Sequence, residues 1–386
     1  MLMVTRRDFI KILGGGTVIA AGAAVGLTAF PPGLPDAAAA WKSPGANESD
    51  IRRKALSYAI LAPNPHNRQP WIADLSEPDT VTMFLDPERL LPATDPYSRQ
   101  IVLGCGAFLE LLELATNAFG AETIITPWPK GAPGAQLDGR PFASIRFNSG
   151  RKTRHPLFDQ ILERRTNREP YDASRIPGTA DLEAIAAVAK TSSGLAAAYT
   201  IDPARIADLR EIIWQGWERE MNTPATMKES VDVMRIGSRE VARYRDGIAL
   251  DGPMMNLMKA AGLLSRSALL DPNSSINKEG AALWKKMADT APAFLWLKGP
   301  DNERFTQIEA GRAYARINLE ATARGLSIHP WSMGLEEYAE MSDIYARQQE
   351  MLGGSSKAPI QMLVRIGYAP VIPPAPRRGV DTLIKV

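Results

Sequence analysis

The chain has one cysteine and three histidines among 386 residues, and its formal net charge is only +2. A single thiol excludes an intramolecular disulfide. Cys105 sits in the apolar run Ile101-Val102-Leu103-Gly104-Cys105-Gly106 and reads as a small buried hydrophobe, not a reactive thiol. His66, His155 and His329 stand in unrelated contexts with no H-E-x-x-H or i,i+4 pair, so no metal site is expected. Near-neutral charge gives no general attraction to nucleic acid, and any anion site must be local. No G-x-G-x-x-G follows a strand and no G-x-S-x-G is present, which removes the Rossmann site and the nucleophile elbow. Beyond the N-terminus no uncharged segment approaches bilayer-spanning length, so stable membrane insertion is not expected.

What is present begins at the N-terminus. Thr5-Arg6-Arg7-Asp8-Phe9-Ile10-Lys11 precedes an uncharged stretch from Ile12 to Pro35, and Asp36-Ala37-Ala38-Ala39-Ala40 supplies a small-residue cleavage site. Positive region, apolar region and A-x-A site in that order describe an export signal over residues 1–40, and the paired arginines point to the twin-arginine machinery. Gly14-Gly15-Gly16 belongs to this leader and is no phosphate loop. The alternative is an uncleaved N-terminal anchor. With cleavage, the remaining chain begins near Trp41 and resides in the periplasm or another extracytoplasmic space. That route suits a protein folded around a tightly held cofactor.

The remaining chain, about 345 residues, is long enough for one large domain or two intimately packed ones. Its pattern predicts mixed α/β structure: a helix over Asp50 to Leu61, strands at 71–75 and 81–86, and a long apolar helix from Arg99 to Phe119 ending at Gly120. Strands follow at 123–126 and 142–147, with the Pro- and Gly-rich connection 127–140 between them. A second set comprises a strand over Ala293 to Leu297, a helix from Arg304 to Arg324 ending at Gly325, and a strand from Ile360 to Tyr368. Gly106 and Gly120 are separated by the same interval as Gly311 and Gly325, and Leu112, Leu114 and Ala118 match Ile317, Leu319 and Ala323. The correspondence points to an internal duplication, with halves at 41–150 and 151–386. A Met- and charge-rich insertion over about 222–278 either covers a site or is a variable surface excursion.

Two clusters carry chemistry. Ala62-Pro63-Asn64-Pro65-His66-Asn67-Arg68-Gln69-Pro70-Trp71 is stiffened by its prolines, so His66, Asn67 and Gln69 are presented at fixed angles. Amide side chains suit the mixed edge of a heteroaromatic ring, although an ordinary turn uses the same residues. Arg164-Arg165-Thr166-Asn167-Arg168 is expected at the end of a helix and has the guanidinium forks and hydroxyl of a compact anion site. A solvated basic face is the other reading. Pro376-Arg377-Arg378-Gly379 could close on the same anion.

These motifs, with "GRAYARINLEATARGLSIHPWSMG" and "LVRIGYAPVIPPAPRRGVDTLI", resemble the nitroreductase-like flavoprotein superfamily, and more narrowly its Acg-type members. The resemblance covers roughly residues 51–386 and is weakest over 222–278. It implies an α+β nitroreductase-like fold of two fused halves around a shared flavin site, with one FMN per chain. By resemblance Arg164, Arg165, Thr166, Asn167 and Arg168, with Arg377 and Arg378, hold the FMN phosphate end. Pro65, His66, Asn67 and Gln69 lie near the ribityl chain or pyrimidine edge, and His329, Pro330, Trp331 and Gly334 belong to the segment crossing the reactive face. His66 and His329 are also readable as plain hydrogen-bonded histidines.

The implied activity is ping-pong reduction of nitroaromatic, quinone or similar acceptors by a small-molecule donor, with the chemistry carried by the flavin and no obligatory protein acid or base. Because NAD(P)H is not expected outside the cytoplasm, the donor stays open. Alternatives are a non-catalytic protein that sequesters FMN under a lid, and an exported module binding another small anion. The fused halves imply a monomer or a loose oligomer.

Overall fold

The computed structural model describes residues 27–150, 153–189 and 194–385; Arg6, Arg7 and most of the apolar leader lie outside them. Two antiparallel four-stranded sheets share one plan. In the first, β1 (Trp71–Asp74), β2 (Thr80–Leu85), β3 (Ala121–Pro127) and β4 (Ala143–Ser149) lie in the order β1-β2-β4-β3. In the second, β5 (Ala196–Thr200), β8 (Ala293–Lys298), β9 (Ser327–Pro330) and β10 (Ile360–Gly367) lie in the order β5-β8-β10-β9. Each order is first, second, fourth, third, and each sheet sends a 20-residue helix between its second and third strands: Arg99–Ala118 and Arg304–Ala323.

Local chemistry starts and stops these helices. The buried Asp95 carboxylate accepts the N–H groups of Gln100 and Ile101 at 3.1 and 2.9 Å, serving donors left free in the first turn of Arg99–Ala118. Gly120 and Gly325 follow the two helices at φ +79 and +68, the left-handed geometry that ends a helix. Arg99–Ala118 is also apolar and long enough to cross a membrane, but most of it is buried inside the protein.

The two central helices pack directly on each other, and the corresponding glycines, Gly106 and Gly311, meet at the contact. A methyl on Gly106 would lie 1.9 Å from the Ile308 carbonyl oxygen, and one on Gly311 would lie 1.9 Å from that of Leu103. Arg312 and Arg316 from the second helix reach the buried Glu110 of the first, at 3.0 and 2.5 Å. One core lies around the first helix and sheet, a second around the second.

The insertion is wider than 222–278. The first-half link between β1 and β2 is a short turn, whereas β5 and β8 are joined by helices Pro203–Asn222, Pro224–Asp232, Ser238–Tyr244, Pro253–Ala260, Arg266–Leu270 and Ser275–Asp289. A small parallel pair, β6 (Met234–Ile236) and β7 (Ile248–Leu250), completes it. Finally, the chain after β10 crosses back to the first half. Ala73 N–H donates to Leu383 O at 2.9 Å and Lys385 N–H to Ala73 O at 2.8 Å, so the C-terminus runs beside β1.

Candidate functional site

That crossing carries Arg377 and Arg378 to the loop at 62–70. The expected helix before Arg164 is instead a 3-10 turn, Pro156–Gln160, followed by an irregular turn. Thr166 forms a parallel bridge with Ile328, and Asn167 N–H donates to Ile328 O at 3.0 Å, so Arg164 to Arg168 lies alongside β9. Both basic clusters then converge on one carbonyl. Arg164 Nη2 donates to Leu61 O at 3.0 Å, and Arg377 Nη2 to Leu61 O and Ala62 O at 3.4 and 3.1 Å. Arg165 Nη1 donates to the carbonyls of Leu162 and Arg164 at 2.6 and 2.8 Å.

The electrostatics are lopsided. Among the described residues no carboxylate forms an ion pair with Arg164, Arg165, Arg377 or Arg378. Burial pulls the Arg164 guanidinium down to about 10 and Arg377 to about 9, the latter also repelled by Arg164. Both remain charged at neutral pH. Buried donors are left over: Arg164 Nε and Nη1, Arg165 Nε, Arg377 Nε and Arg378 Nε have no partner, nor does His66 Nδ1. Unpaired buried donors on charged groups are costly, and an anion with several acceptor oxygens would satisfy them.

Arg168 has exposed surface, and partial loss of water around its guanidinium lowers it from the usual value. Tyr314 and Glu220 act on it, and it acts in turn on His66, His329 and Arg365. Burial first, then Arg168 and Arg68, holds His66 down to about 3. His329 is lowered well below the usual value by burial, Arg365 and Arg168, and its Nδ1 accepts Arg365 Nε–H at 3.0 Å. Both imidazoles are therefore neutral at physiological pH.

The Pro65 loop is strained. His66, Asn67 and Gln69, none of them glycine, adopt φ of 45, 52 and 49. Its hydrogen bonds explain how that is tolerated. Asn67 Nδ2 donates to Pro376 O at 3.0 Å and its Oδ1 accepts Arg377 Nη1 at 2.5 Å. Gln69 Nε2 donates to Arg245 O at 2.9 Å, and its Oε1 accepts Arg378 N–H at 2.9 Å. Both amides thus tie the loop to the C-terminal segment, and Gln69 also ties it to the insertion.

The remaining candidates divide. Asn167 bonds Ser327 Oγ and Pro370 O at 3.2 and 2.8 Å, and so fixes the arginine segment to the chain around it. Pro330 pairs with Val364 in the sheet. Trp331 is fully buried in the apolar cluster beneath the insertion, its indole N–H on Ile213 O at 2.9 Å, and so packs this region. Gly334 sits where the Met333–Leu335 turn crosses Gly216, a close backbone approach. Two features escaped the sequence reading. Trp41 lies against the arginines, with Arg165 Cζ 5.0 Å from its ring centroid. Asp246, nine-tenths buried or more, accepts Arg89 and Arg235 at 2.6 and 2.8 Å beside the Gln69 contact. Burial opposes its charge, but those two hydrogen bonds prevail and its carboxyl is lowered. Among the described residues no three His, Cys, Asp or Glu side chains are grouped to hold a metal.

Comparison with known proteins agrees in kind. Residues 161–368 match the nitroreductase family. A Mycobacterium tuberculosis protein provisionally named NAD(P)H nitroreductase acg is 28% identical over 352 residues, covering 88% of this chain and 96% of its own. A second protein of that organism, also provisionally named an NAD(P)H nitroreductase, is 26% identical over 345 residues, with 88% and 92% covered. Among solved structures, an FMN-dependent nitroreductase of Mycobacterium smegmatis in complex with NADPH is 18% identical, covering 59% of this chain and 96% of its own at a TM-score of 0.36.

Proposed function

The chain belongs to the nitroreductase family, and on that footing we propose that it is an FMN-dependent oxidoreductase whose buried arginines hold the cofactor phosphate. The observation that carries this reading is the convergence of Arg164, Arg165 and Arg377 with unpartnered buried donors and no ion-paired carboxylate among the described residues. A phosphate monoester offers the oxygens and negative charge those donors lack. Bound FMN supplies two-electron transfer in alternating half-reactions, from a donor to a nitroaromatic, quinone or similar acceptor.

The protein's part is binding and placement. Arg168, on the segment that runs beside β9, acts electrostatically on His66 and His329 and would supply positive charge that favours an anionic reduced cofactor. His66 and His329 stay neutral and do not compete for that charge. Asn67 and Gln69 keep Arg377 and Arg378 in place through the hydrogen bonds they share. The purified protein is expected to be yellow with a flavin absorbance spectrum, bleached by dithionite and rapidly reoxidised by nitroaromatics or quinones. A colourless protein that takes up no FMN on titration rejects the reading.

One observation favours the sequestering alternative: the insertion is bonded to the cofactor loop, Gly247 N–H on Asn67 O at 3.0 Å and Gln69 on Arg245 O. Slow reoxidation by every acceptor would select it. Export is part of the proposal and rests on Arg6 and Arg7. Replacing both by Lys should retain precursor in the cytoplasm with flavin binding intact. Normal export of that variant rejects the twin-arginine route.

A further inference from the structure

Trp41 occupies the middle of the arginine cluster. Its ring centroid lies 5.0, 5.6 and 5.7 Å from the Cζ atoms of Arg165, Arg377 and Arg164. The residue is buried, and its indole N–H donates to Ala375 O at 2.8 Å. Just upstream, Ala37 O accepts Arg377 N–H at 3.0 Å. The Ala37 contact belongs to the precursor and goes with the leader on cleavage after residue 40, whereas the Trp41 contacts stay with the remaining chain.

The choice of an aromatic ring has a physical consequence. Three clustered guanidinium groups repel one another, and burial removes the water that would screen them. A carboxylate would neutralise them and consume their N–H donors. An indole face attracts cations through its quadrupole, adds no charge and leaves in-plane N–H donors open. The donors left open here are Arg164 Nε and Nη1, Arg165 Nε and Arg377 Nε.

We propose that Trp41 is a positioning residue for the phosphate of FMN, holding the three guanidinium groups together in an anion-ready arrangement by its ring and fixing residues 375–377 by its N–H. The proposal rests on the FMN reading above. Because the ring acts through the arginines, it governs the phosphate end and not the isoalloxazine. A flavin without a phosphate should be indifferent to it.

The test compares FMN with riboflavin, which lacks the phosphate, in fluorescence titrations of the full chain and its Trp41→Leu and Trp41→Phe variants. Trp41→Leu is expected to weaken FMN binding on the order of tenfold, while riboflavin affinity changes less than about twofold. Trp41→Phe, which keeps a ring face, should recover most of the loss. Equal weakening of both flavins, or unchanged FMN affinity in Trp41→Leu, overturns the proposal and leaves the cofactor reading standing. A parent chain that binds neither flavin overturns both. Should Trp41→Leu fail to fold, the parent labelled with 5-fluorotryptophan decides. The resonance missing from Trp41→Phe must move on adding FMN and hold still with riboflavin; a resonance indifferent to FMN overturns the proposal.

Discussion

A guanidinium stripped of water and given no carboxylate keeps its charge at considerable cost, and Arg164 and Arg377 do so side by side. Their other hydrogen bonds go to peptide carbonyls, which orient a cation without neutralising it. Arg165 differs in its structural duties, because it is half-buried and its carbonyl partners both lie in its own turn. Arg165→Ala should therefore leave the fold intact while removing a charge-assisted contact. The expected loss is about 1.5–3 kcal/mol of FMN affinity, roughly tenfold to hundredfold. Equilibrium titration reads it, and undiminished affinity would move the phosphate away from this segment.

Within the insertion, helix Pro203–Asn222 starts where Asp202 accepts Arg205 N–H at 2.9 Å and ends near Glu220, buried with Ser230 Oγ–H on its Oε1 at 2.9 Å. Burial pushes the Glu220 carboxyl from 4.5 up to about 7, with Glu229 adding repulsion against the Ser230 bond. A carboxyl raised on folding is held protonated by the native state. Its contribution to stability is complete below the unfolded pKa, near 4.5, and fades as pH rises through about 7. Glu220→Gln keeps an acceptor for Ser230 and cannot ionise. The variant should match the parent near pH 4 and exceed it by roughly 3 kcal/mol at pH 8. Urea midpoints at the two pH values measure this; an equal gap at both would deny Glu220 the titration. None of this was legible beforehand. The apolar period of Pro203–Asn222 is that of any core-facing helix, so the sequence reading began the insertion only at its far end. By contrast, the long helices Arg99–Ala118 and Arg304–Ala323 announce themselves, since each carries its own period and a terminating glycine.

Across the whole molecule, the two sheets with the same strand order are joined where their central helices touch. The matching glycine intervals made the common plan of the two sheets and their central helices readable. Long-range pairing was not readable: Trp41 to Ala375 and Ala73 to Leu383 join distant stretches, and no local pattern encodes which partners meet. The arginine segment was recognisable by composition, but its setting beside Ile328 depends on a sheet assembled from distant strands. The glycine contact is the most direct test of how the halves hold together. In Gly311→Ala the new methyl would stand 1.9 Å from Leu103 O and 2.9 Å from its Cα, both backbone, so the helices must separate along the contact. The expected destabilisation is about 3 kcal/mol or more. Gly280 in helix Ser275–Asp289 is the control, because nothing lies within 4 Å of a methyl there. Gly280→Ala should stabilise by roughly 0.5–1 kcal/mol through helix propensity alone. Urea denaturation of both variants separates close packing from propensity: shifts of the same sign and size would mean that the two halves are not joined through this crossing.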